Sequence, residues 1–527
     1  MSEEHDVIIV GCGPVGLCLA LLLARKGHSV AIVERHEAIY ALPRAIAFDH
    51  EVARILNLLG LMDAMRPYLA APGKYQWRSA KGETLFVLDW TEESISGFRS
   101  SYFFSQPQLE RVLNEAASEN PLITIHRGFE ATGFQQDEHG VTLVARGFPV
   151  ADRKVTLHGA YLVGSDGANS TVRAGIGASL IDLGFNADWL VVDVLPLPGE
   201  RLPFDDDLAI QICDPMRPTT MVSGGPGRRR WEFMALEGET LADLNSIERA
   251  WELLQPFGLT RANAQLERHA VYTFRGAIAD RWRQDRVFVA GDAAHLTPPF
   301  AGQGLCAGFR DAAALAWRLD LAFQGLASEA LLDSYGSERA DHARAWVMNA
   351  IELGKVICVL DPAAAAGRDA GMLAARAAGE PPPSSGILPR LGLGVALRDQ
   401  AGGTLGHGAA LQRGGCRAHI DDLIGSGFQL ISRLGDPALT LSPASMALFE
   451  LLHGVSVDLG PGSAVVDVEG AYARWFEELG ADTVLLRPDF YVFGAASGQG
   501  GAEALMRALQ TFLTEIPGGT KHDSVML

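Results

Sequence analysis

The chain has 527 residues, too many for a single hydrophobic core, so two to four domains are expected. Hydrophobic residues make up 48% of it, a globular rather than a disordered composition, and a net charge of −19 argues against nucleic acid, whose phosphates need a basic face. Its six cysteines contain no CxxC pair, which leaves no disulfide framework and no zinc site to propose.

Residues Val7 to Arg35 read as a strand, a glycine turn, a helix and a second strand closing in an acid. Gly11, Gly13 and Gly16 have the GxGxxG spacing, and Glu34 lies 18 residues beyond Gly16. Gly11 permits the tight turn, Gly13 lets a pyrophosphate approach the backbone, and Gly16 lets helix and strand pack closely. The helix N-terminus then offers free N–H groups to the phosphates. Glu34 can accept from both ribose hydroxyls, which favours an adenosine without a 2′-phosphate. A dinucleotide site therefore comprises Gly11, Gly13, Pro14, Val15, Gly16, Glu34 and Arg35. Val7 to Ala24 is also an 18-residue uncharged run, the minimum for a membrane span. The residues before it are Glu3, Glu4, His5 and Asp6 rather than basic, and Gly11, Gly13 and Pro14 would break such a helix. A buried parallel strand with a helix packed on it is the better reading, in a soluble, cytoplasmic protein with no membrane partner.

A helical pattern follows from about His50 to Leu59, closed by Gly60. Residues 75–105 carry short strand-like segments, and Gln106 to Ala117 reads as a helix with Leu109, Val112 and Leu113 on one face. Strands are expected at Ile123–His126, Val141–Ala145 and Ala160–Gly164. From about 176 to 280, polar-alternating strands at Trp189–Val194, Leu208–Ile212 and Trp231–Met234 suit an antiparallel sheet with one face on a ligand. Arg228-Arg229-Arg230, the one dense basic cluster, is read as a solvated turn after Gly224-Gly225-Pro226-Gly227. Arg286 to Ala290 returns to a buried strand, and a helix is expected from about Gly304 to Leu321. Residues 361–386, rich in Ala, Gly, Pro and Ser, read as a boundary or surface loop. Beyond about 400 comes a smaller α/β unit, with strands at Phe428–Ser432, Val465–Val468, Thr483–Leu486 and Tyr491–Gly494 and a helix from Ala502 to Thr514. Gly498-Gln499-Gly500-Gly501 is rejected as a second dinucleotide turn, because too little chain follows to supply a strand and acid.

Two further motifs join the first. One is Gly164-Ser165-Asp166-Gly167-Ala168-Asn169-Ser170-Thr171-Val172-Arg173. The other is Val289-Ala290-Gly291-Asp292-Ala293-Ala294-His295, followed by Pro298-Pro299 and Gly302-Gln303-Gly304. In this order and spacing the three resemble the class A flavoprotein aromatic hydroxylases, and the resemblance covers nearly the whole chain. In that family GxGxxG binds ADP, DGxxSxxR serves FAD and the nicotinamide donor, and GD binds the ribityl chain. The string from Gly302 to Ala313, with Phe103-Phe104-Ser105-Gln106-Pro107-Gln108-Leu109-Glu110 and Pro43-Arg44-Ala45, further resembles the 3-(3-hydroxyphenyl)propionate hydroxylases. Phe309 and His50 depart from that subgroup, and the departures bear on substrate rather than cofactor. The C-terminal unit, with Leu486-Arg487-Pro488-Asp489-Phe490-Tyr491-Val492-Phe493-Gly494, resembles the thioredoxin-like domain appended to many of these enzymes. Its only cysteine is Cys416, so it cannot run dithiol chemistry, and packing or oligomer contact is left to it.

The resemblance implies an α/β protein: a Rossmann-type FAD-binding domain like that of para-hydroxybenzoate hydroxylase, an inserted β-sheet substrate domain, and a thioredoxin-like C-terminal domain. The corresponding partition gives the FAD-binding domain residues 1–75, 106–178 and 281–360 and the substrate domain residues 76–105 and 179–280. Residues 361–400 are then the linker and 401–527 the C-terminal domain. Arg44 is expected at the FAD phosphates or ribose, Gln106 at the flavin, Asp166 and Gly167 in the DG turn, Gly291 and Asp292 at the ribityl hydroxyls, and Pro298 beside the isoalloxazine. Gly302, Gln303, Gly304 and Leu305 open a helix whose N-terminus can face the flavin N1–C2=O edge and stabilise the reduced anion.

The implied reaction is hydride transfer from NADH or NADPH to FAD, then O2 addition to give a flavin C4a-hydroperoxide that hydroxylates a small phenol ortho to its hydroxyl. A base that deprotonates the phenol helps, and His50, Tyr272 and His295 are candidates without a choice among them. A carboxylated substrate would want an arginine, with Arg217, Arg275 and Arg310 equally open. A polycyclic polyketide is the alternative substrate, and a homodimer is among the assemblies the resemblance admits. A flavin halogenase would carry a Trp-x-Trp-x-Ile-Pro segment, whereas Trp282 and Trp317 sit in no such context. A disulfide reductase would need a second GxGxxG and a CxxC, and a binding protein without activity would ignore added phenol.

Overall fold

A computed structural model describes residues 3–39, 45–205, 207–381 and 387–514. Val7, Ile8 and Ile9 are wholly buried, as a strand covered on both faces requires. Their strand, Glu3–Val10, is the middle of a parallel run in the order Val287–Val289, Lys154–Gly164, Glu3–Val10, Val30–Glu34, Ile123–Arg127. Phe129–Gln136 and Val141–Gly147 extend this sheet as antiparallel strands from Lys154–Gly164. The helix Pro14–Arg25 joins the first two strands; a proline at its first position sacrifices no hydrogen bond, and Leu17 to Ala20 are buried. Register places Val10, Gly164 and Val289 side by side, so each motif begins just past the carboxyl end of a neighbouring strand. Ligands of open α/β sheets bind at such ends.

Leu180–Pro196 and Ala264–Ala279 are the long strands of a second, eight-stranded sheet. Its order is His295–Leu296, Ala264–Ala279, Leu180–Pro196, Arg229–Met234, Thr219–Ser223, Ala209–Cys213, Lys74–Ser79, Thr84–Asp89. Neighbours are antiparallel except for Ala209–Cys213 beside Lys74–Ser79. Alternation along the strands builds a core on each face. Leu190, Val192, Met221, Trp231 and Phe233 pack with Leu254 of the helix Ile247–Leu254. Trp77, Trp189, Val222, Met234 and Phe274 point the other way and pack with Phe300.

Compactness divides the chain into residues 1–94, 98–309 and 343–387, and residues 95–97, 310–342 and 388–527. The second unit holds a four-stranded sheet in the order Val455–Asp458, Gln429–Ser432, Thr483–Leu486, Val492–Ala496. Its first pair is parallel and the other two are antiparallel. Val455–Asp458, a short Val-Ser-Val-Asp run, gave no expectation of a strand. Of the expected strand Val465–Val468 only Val465–Val466 forms, and it pairs with Ala410–Arg413 in a separate three-stranded sheet. The strand stops there because Asp467 turns to accept from Ala471 N and Ala473 N at the start of the helix Ala471–Leu479. Within the same unit Arg487 donates to both Asp489 and Glu338, Arg318 donates to Glu338 at 2.6 Å, and Trp317 Nε1 donates to Asp489 at 3.0 Å. All five side chains are buried.

The stretch expected as a loop from 361 opens with a helix, Pro362–Ala377. Alanine is the best helix former, Pro362 sits at the first position, and Asp361 caps it by accepting from Ala364 N at 2.7 Å. Among the described residues no helix is long and apolar enough to cross a membrane.

Candidate active site

The three glycines of the first motif are required for different reasons. Gly11 has φ +105°, and a Cβ there would stand 2.4 Å from the Ser165 carbonyl oxygen. A Cβ on Gly16 would meet the Gly11 carbonyl oxygen at 2.2 Å. Around Gly13 nothing of the chain lies within 4 Å of that position. The chain's own packing therefore demands Gly11 and Gly16, whereas the missing Cβ of Gly13 faces open space of the kind a pyrophosphate needs. Gly13 is also the N-cap of Pro14–Arg25 without a side-chain cap, which leaves first-turn amides for an anion. Pro14 is buried, and Val15 packs beneath the third motif: a Cβ on Gly291 or Gly308 would meet Val15 Cγ2 at 3.1 or 2.5 Å. Glu34 accepts from Cys12 N and His36 N, both at 2.9 Å, and its two oxygens keep lone pairs for ribose hydroxyls. Arg35 is exposed, 3.9 Å from Glu130. Burial pushes the Cys12 thiol up to about 12, and likewise those of Cys213 and Cys358. Cys416 is exposed.

The second motif is tied to its neighbours on both sides. Ser165 Oγ donates to the carbonyls of Val10 and Gly11 at 3.1 Å each. Arg173 donates to Ala293 O at 3.0 Å and to Ala168 O at 2.8 Å. Asp166 accepts from Ser170 Oγ, Thr171 N and Val172 N, fixing the start of the helix Thr171–Gly175, while Gly167 takes φ +81°. Burial pushes the Asp166 carboxyl up, opposed by these hydrogen bonds. Its contacts make it a turn-holding residue.

In the third motif Gly291 has φ +61° and Asp292 is exposed on the 3-10 turn Gly291–Ala293. Pro298 is buried and caps the turn Pro299–Ala301, which ends at Gly302 with φ +65°. Gln303 is buried, and Gly304 and Leu305 open the helix Gly304–Phe323. Gln106, the first residue of its helix, accepts from Ala45 N at 2.6 Å and donates to Glu110 at 2.6 Å, so its amide organises the chain beside it. Arg44 lies outside the described residues.

The three candidate bases stand in different settings. His295 is wholly buried and stacks on Trp282, ring centroids 5.6 Å apart. His50 is buried at the start of the helix His50–Leu58, capped by Asp49. Tyr272 lies in register with Trp189, which is in register with Met234, and the Arg268 guanidinium is 4.9 Å from its ring centre. Trp189 and Phe274 stack at 5.8 Å, and Phe300 meets Trp189 and Phe274 edge-on at 5.7 and 5.9 Å. Tyr272 thus shares its sheet face with an aromatic cluster that reaches the Pro298–Gly302 turn.

Arg228-Arg229-Arg230 is not a solvated turn. Arg229 and Arg230 belong to the strand Arg229–Met234 and are buried. Arg229 donates to Leu208 O at 2.5 Å, and Arg230 grips Asp193 through Nε at 2.7 Å and Nη2 at 3.0 Å. Sequence reading missed this because Asp193 is 37 residues away and only strand pairing joins them. Arg217 is committed to Glu239 at 2.6 and 3.0 Å, Arg275 is exposed, and Arg310 is buried.

Residues 4–350 match the FAD binding domain family, and residues 410–511 match the HcaD C-terminal domain. A protein of Rhodococcus jostii (strain RHA1) named probable NADH-specific resorcinol 4-hydroxylase is 34% identical over 97% of this chain and 96% of its own. A 3-(3-hydroxy-phenyl)propionate/3-hydroxycinnamic acid hydroxylase of Paraburkholderia xenovorans (strain LB400) is 30% identical over 94% of this chain and 90% of its own. Among solved structures, aklavinone-11 hydroxylase with FAD and aklavinone covers 97% of this chain and 99% of its own, with 25% identity and a TM-score of 0.78. The flavin-dependent monooxygenase PieE, at 22% identity and the same coverage, has a TM-score of 0.80 and speaks to the fold.

Proposed function

The chain belongs to the FAD-dependent aromatic hydroxylases, and on that footing we propose that it hydroxylates a small phenol ortho to the ring hydroxyl, giving a catechol or its equivalent. NADH is the favoured donor, in line with the name of the Rhodococcus relative. The observation that carries the reading is the convergence of the three motifs past adjacent strand ends with an aromatic-lined sheet face at Phe300.

When bound, FAD supplies the transfer of electrons from NAD(P)H and the activation of O2. The chain's own residues do the rest. Gly11, Gly13, Gly16 and Glu34 hold the ADP portion, and Asp292 takes the ribityl hydroxyls. The amides opening the helix at Gly304 favour negative charge on the reduced ring. Trp189, Phe274 and Phe300 keep water from the ring being attacked. Of the three candidate bases, Tyr272 lies beside Trp189 on that aromatic face, while His295 is buried in a stack with Trp282.

The C-terminal unit fits a thioredoxin-like reading through its parallel pair followed by two antiparallel strands and the helix Gly501–Thr514. It carries one cysteine, so its part is structural. A cytoplasmic setting and a small-molecule partner complete the reading, with a homodimer as the assembly to look for.

The test is NADH and NADPH oxidation by the FAD-loaded protein, with product and H2O2 quantified. The panel holds resorcinol, phenol, 3-(3-hydroxyphenyl)propionate, 3-hydroxycinnamate and a polycyclic anthraquinone. Stimulation with a catechol-type product from a small phenol supports the reading. Stimulation by the polycycle alone moves the activity to polyketide tailoring, and stimulation by none overturns it.

A further inference from the structure

The sheet face that packs on Phe300 is not aromatic throughout. Across the strands in register, Val191, Glu232, Thr220, Gln211 and Trp77 form one row, and Arg268, Asp193 and Arg230 form part of the next. Strand alternation turns both rows to the same side as Trp189 and Met234. Four charged residues are therefore buried there: Glu232 is 6% exposed, Arg268 5%, and Asp193 and Arg230 3% each. Buried charge is tolerated only when paired and hydrogen-bonded.

The pairing is unequal. Asp193 takes the bidentate grip of Arg230 and lies 3.7 Å from Arg268 Nε. Glu232 stands 3.8 Å from Arg230 Nη1, an ion-pair contact beyond hydrogen-bond length. Its neighbours in the row spend their groups on each other. Thr220 Oγ donates to Gln211 Oε1 at 2.7 Å, Tyr75 OH donates to the same oxygen at 3.5 Å, and Gln211 Nε2 donates to Thr219 O at 3.2 Å. Burial pushes the Glu232 carboxyl up, with Arg230 opposing and Asp193 adding to it. Among the described residues, the two arginines of this face are matched by its two acids, with no surplus cation for a substrate carboxylate.

We infer that Glu232 takes the hydrogen bond of a substrate ring hydroxyl and so orients the ring, and that the site is built for an uncharged phenol rather than one with a carboxylate tail. The inference rests on the phenol-hydroxylase reading above. An acidic side chain facing a ring hydroxyl binds it as a hydrogen-bond acceptor, and the same charge, beside Asp193, repels a second carboxylate.

The experiment uses the FAD-loaded full chain, wild type and Glu232→Gln, a near-isosteric change. Kd is measured by calorimetry for resorcinol and for 3-(3-hydroxyphenyl)propionate, and kcat, KM and the H2O2 fraction by turnover. The wild type is expected to bind resorcinol the more tightly. In the variant, resorcinol Kd and KM rise about tenfold or more and the H2O2 fraction increases, while FAD content and the Kd for the propionate stay level or improve. A resorcinol Kd in the variant within about twofold of wild type overturns the inference. So does wild-type preference for the propionate, a comparison that needs no variant. If small phenols stimulate turnover and the variant is unchanged, Glu232 alone loses its role. If no phenol stimulates the loaded wild type, the functional reading falls and this inference with it.

Discussion

Arg173 donates to the carbonyl oxygen of Ala293 at 3.0 Å, so the last residue of the second motif holds the backbone of the third. Ser165 makes the matching connection to Gly11 at 3.1 Å. The three motifs are thus one hydrogen-bonded assembly around the strand ends, and loosening any joint should reach the cofactor.

Replacing Arg173 with Ala removes the guanidinium donors from two backbone carbonyls, those of Ala293 and Ala168. FAD affinity is expected to fall about tenfold, the equivalent of one charge-assisted hydrogen bond. Arg173→Lys should recover little, since a single ammonium cannot span both carbonyls with the guanidinium's fork. Fluorescence of released flavin during dialysis measures both.

Asp292→Ala should also weaken FAD retention, by about tenfold or more, without altering the fold, because Asp292 is exposed on its turn. Unchanged retention, read from the ratio of flavin to protein absorbance, would remove Asp292 from the ribityl site.

Two glycine substitutions separate packing from binding. Gly16→Ala forces a Cβ to 2.2 Å from a backbone oxygen and should lower Tm of the apoprotein by several degrees. Gly13→Ala meets nothing of the chain within 4 Å, so the apoprotein should keep its Tm while FAD binding is lost. Equal Tm losses in the two would contradict the assignment of Gly13 to the pyrophosphate.

The second unit should be acid-sensitive. Burial alone would raise Glu338 and Asp489, but the charges of Arg318 and Arg487 overcome it and hold both carboxyls below their ordinary values. A depressed native value means stability that is complete above the ordinary carboxylate range and is lost as pH falls through the native one. Urea unfolding should therefore show the unit weakening from about pH 5 downward. Arg487→Ala, which takes from buried Asp489 its bidentate cation and leaves Glu338 with Arg318 alone, should cost about 3–5 kcal/mol at pH 7. An unfolding midpoint flat from pH 7 to the acid limit would refute the linkage.

Glycines, the acid at 34 and the DG and GD turns were legible in sequence because each is local: its meaning lies within a few residues of itself. The parallel and antiparallel sheets followed from apolar runs and alternation. What escaped was long-range. Arg230 reads as part of a basic turn until strand pairing brings it to Asp193, and Glu232 reads as one polar residue among many until its row is laid beside Thr220 and Gln211. Gln106 likewise carries no sequence sign that its amide serves Ala45. Pro362–Ala377 differs for another reason: alanine and glycine together suggest a loop by composition, while alanine and an Asp361 cap decide for helix.

An oxygen-using flavoenzyme leaks some peroxide whenever its pocket is imperfectly sealed, and that leak is a hazard to its own thiols. Thiolate is the form that peroxide attacks, and burial keeps Cys12, Cys213 and Cys358 protonated far above neutral pH. Cys12, between two glycines of the nucleotide turn, is the thiol whose oxidation would do most harm, and it is among the best protected. The exposed Cys416, in the strand Cys416–His419, is left as the thiol on which oxidative wear should first register.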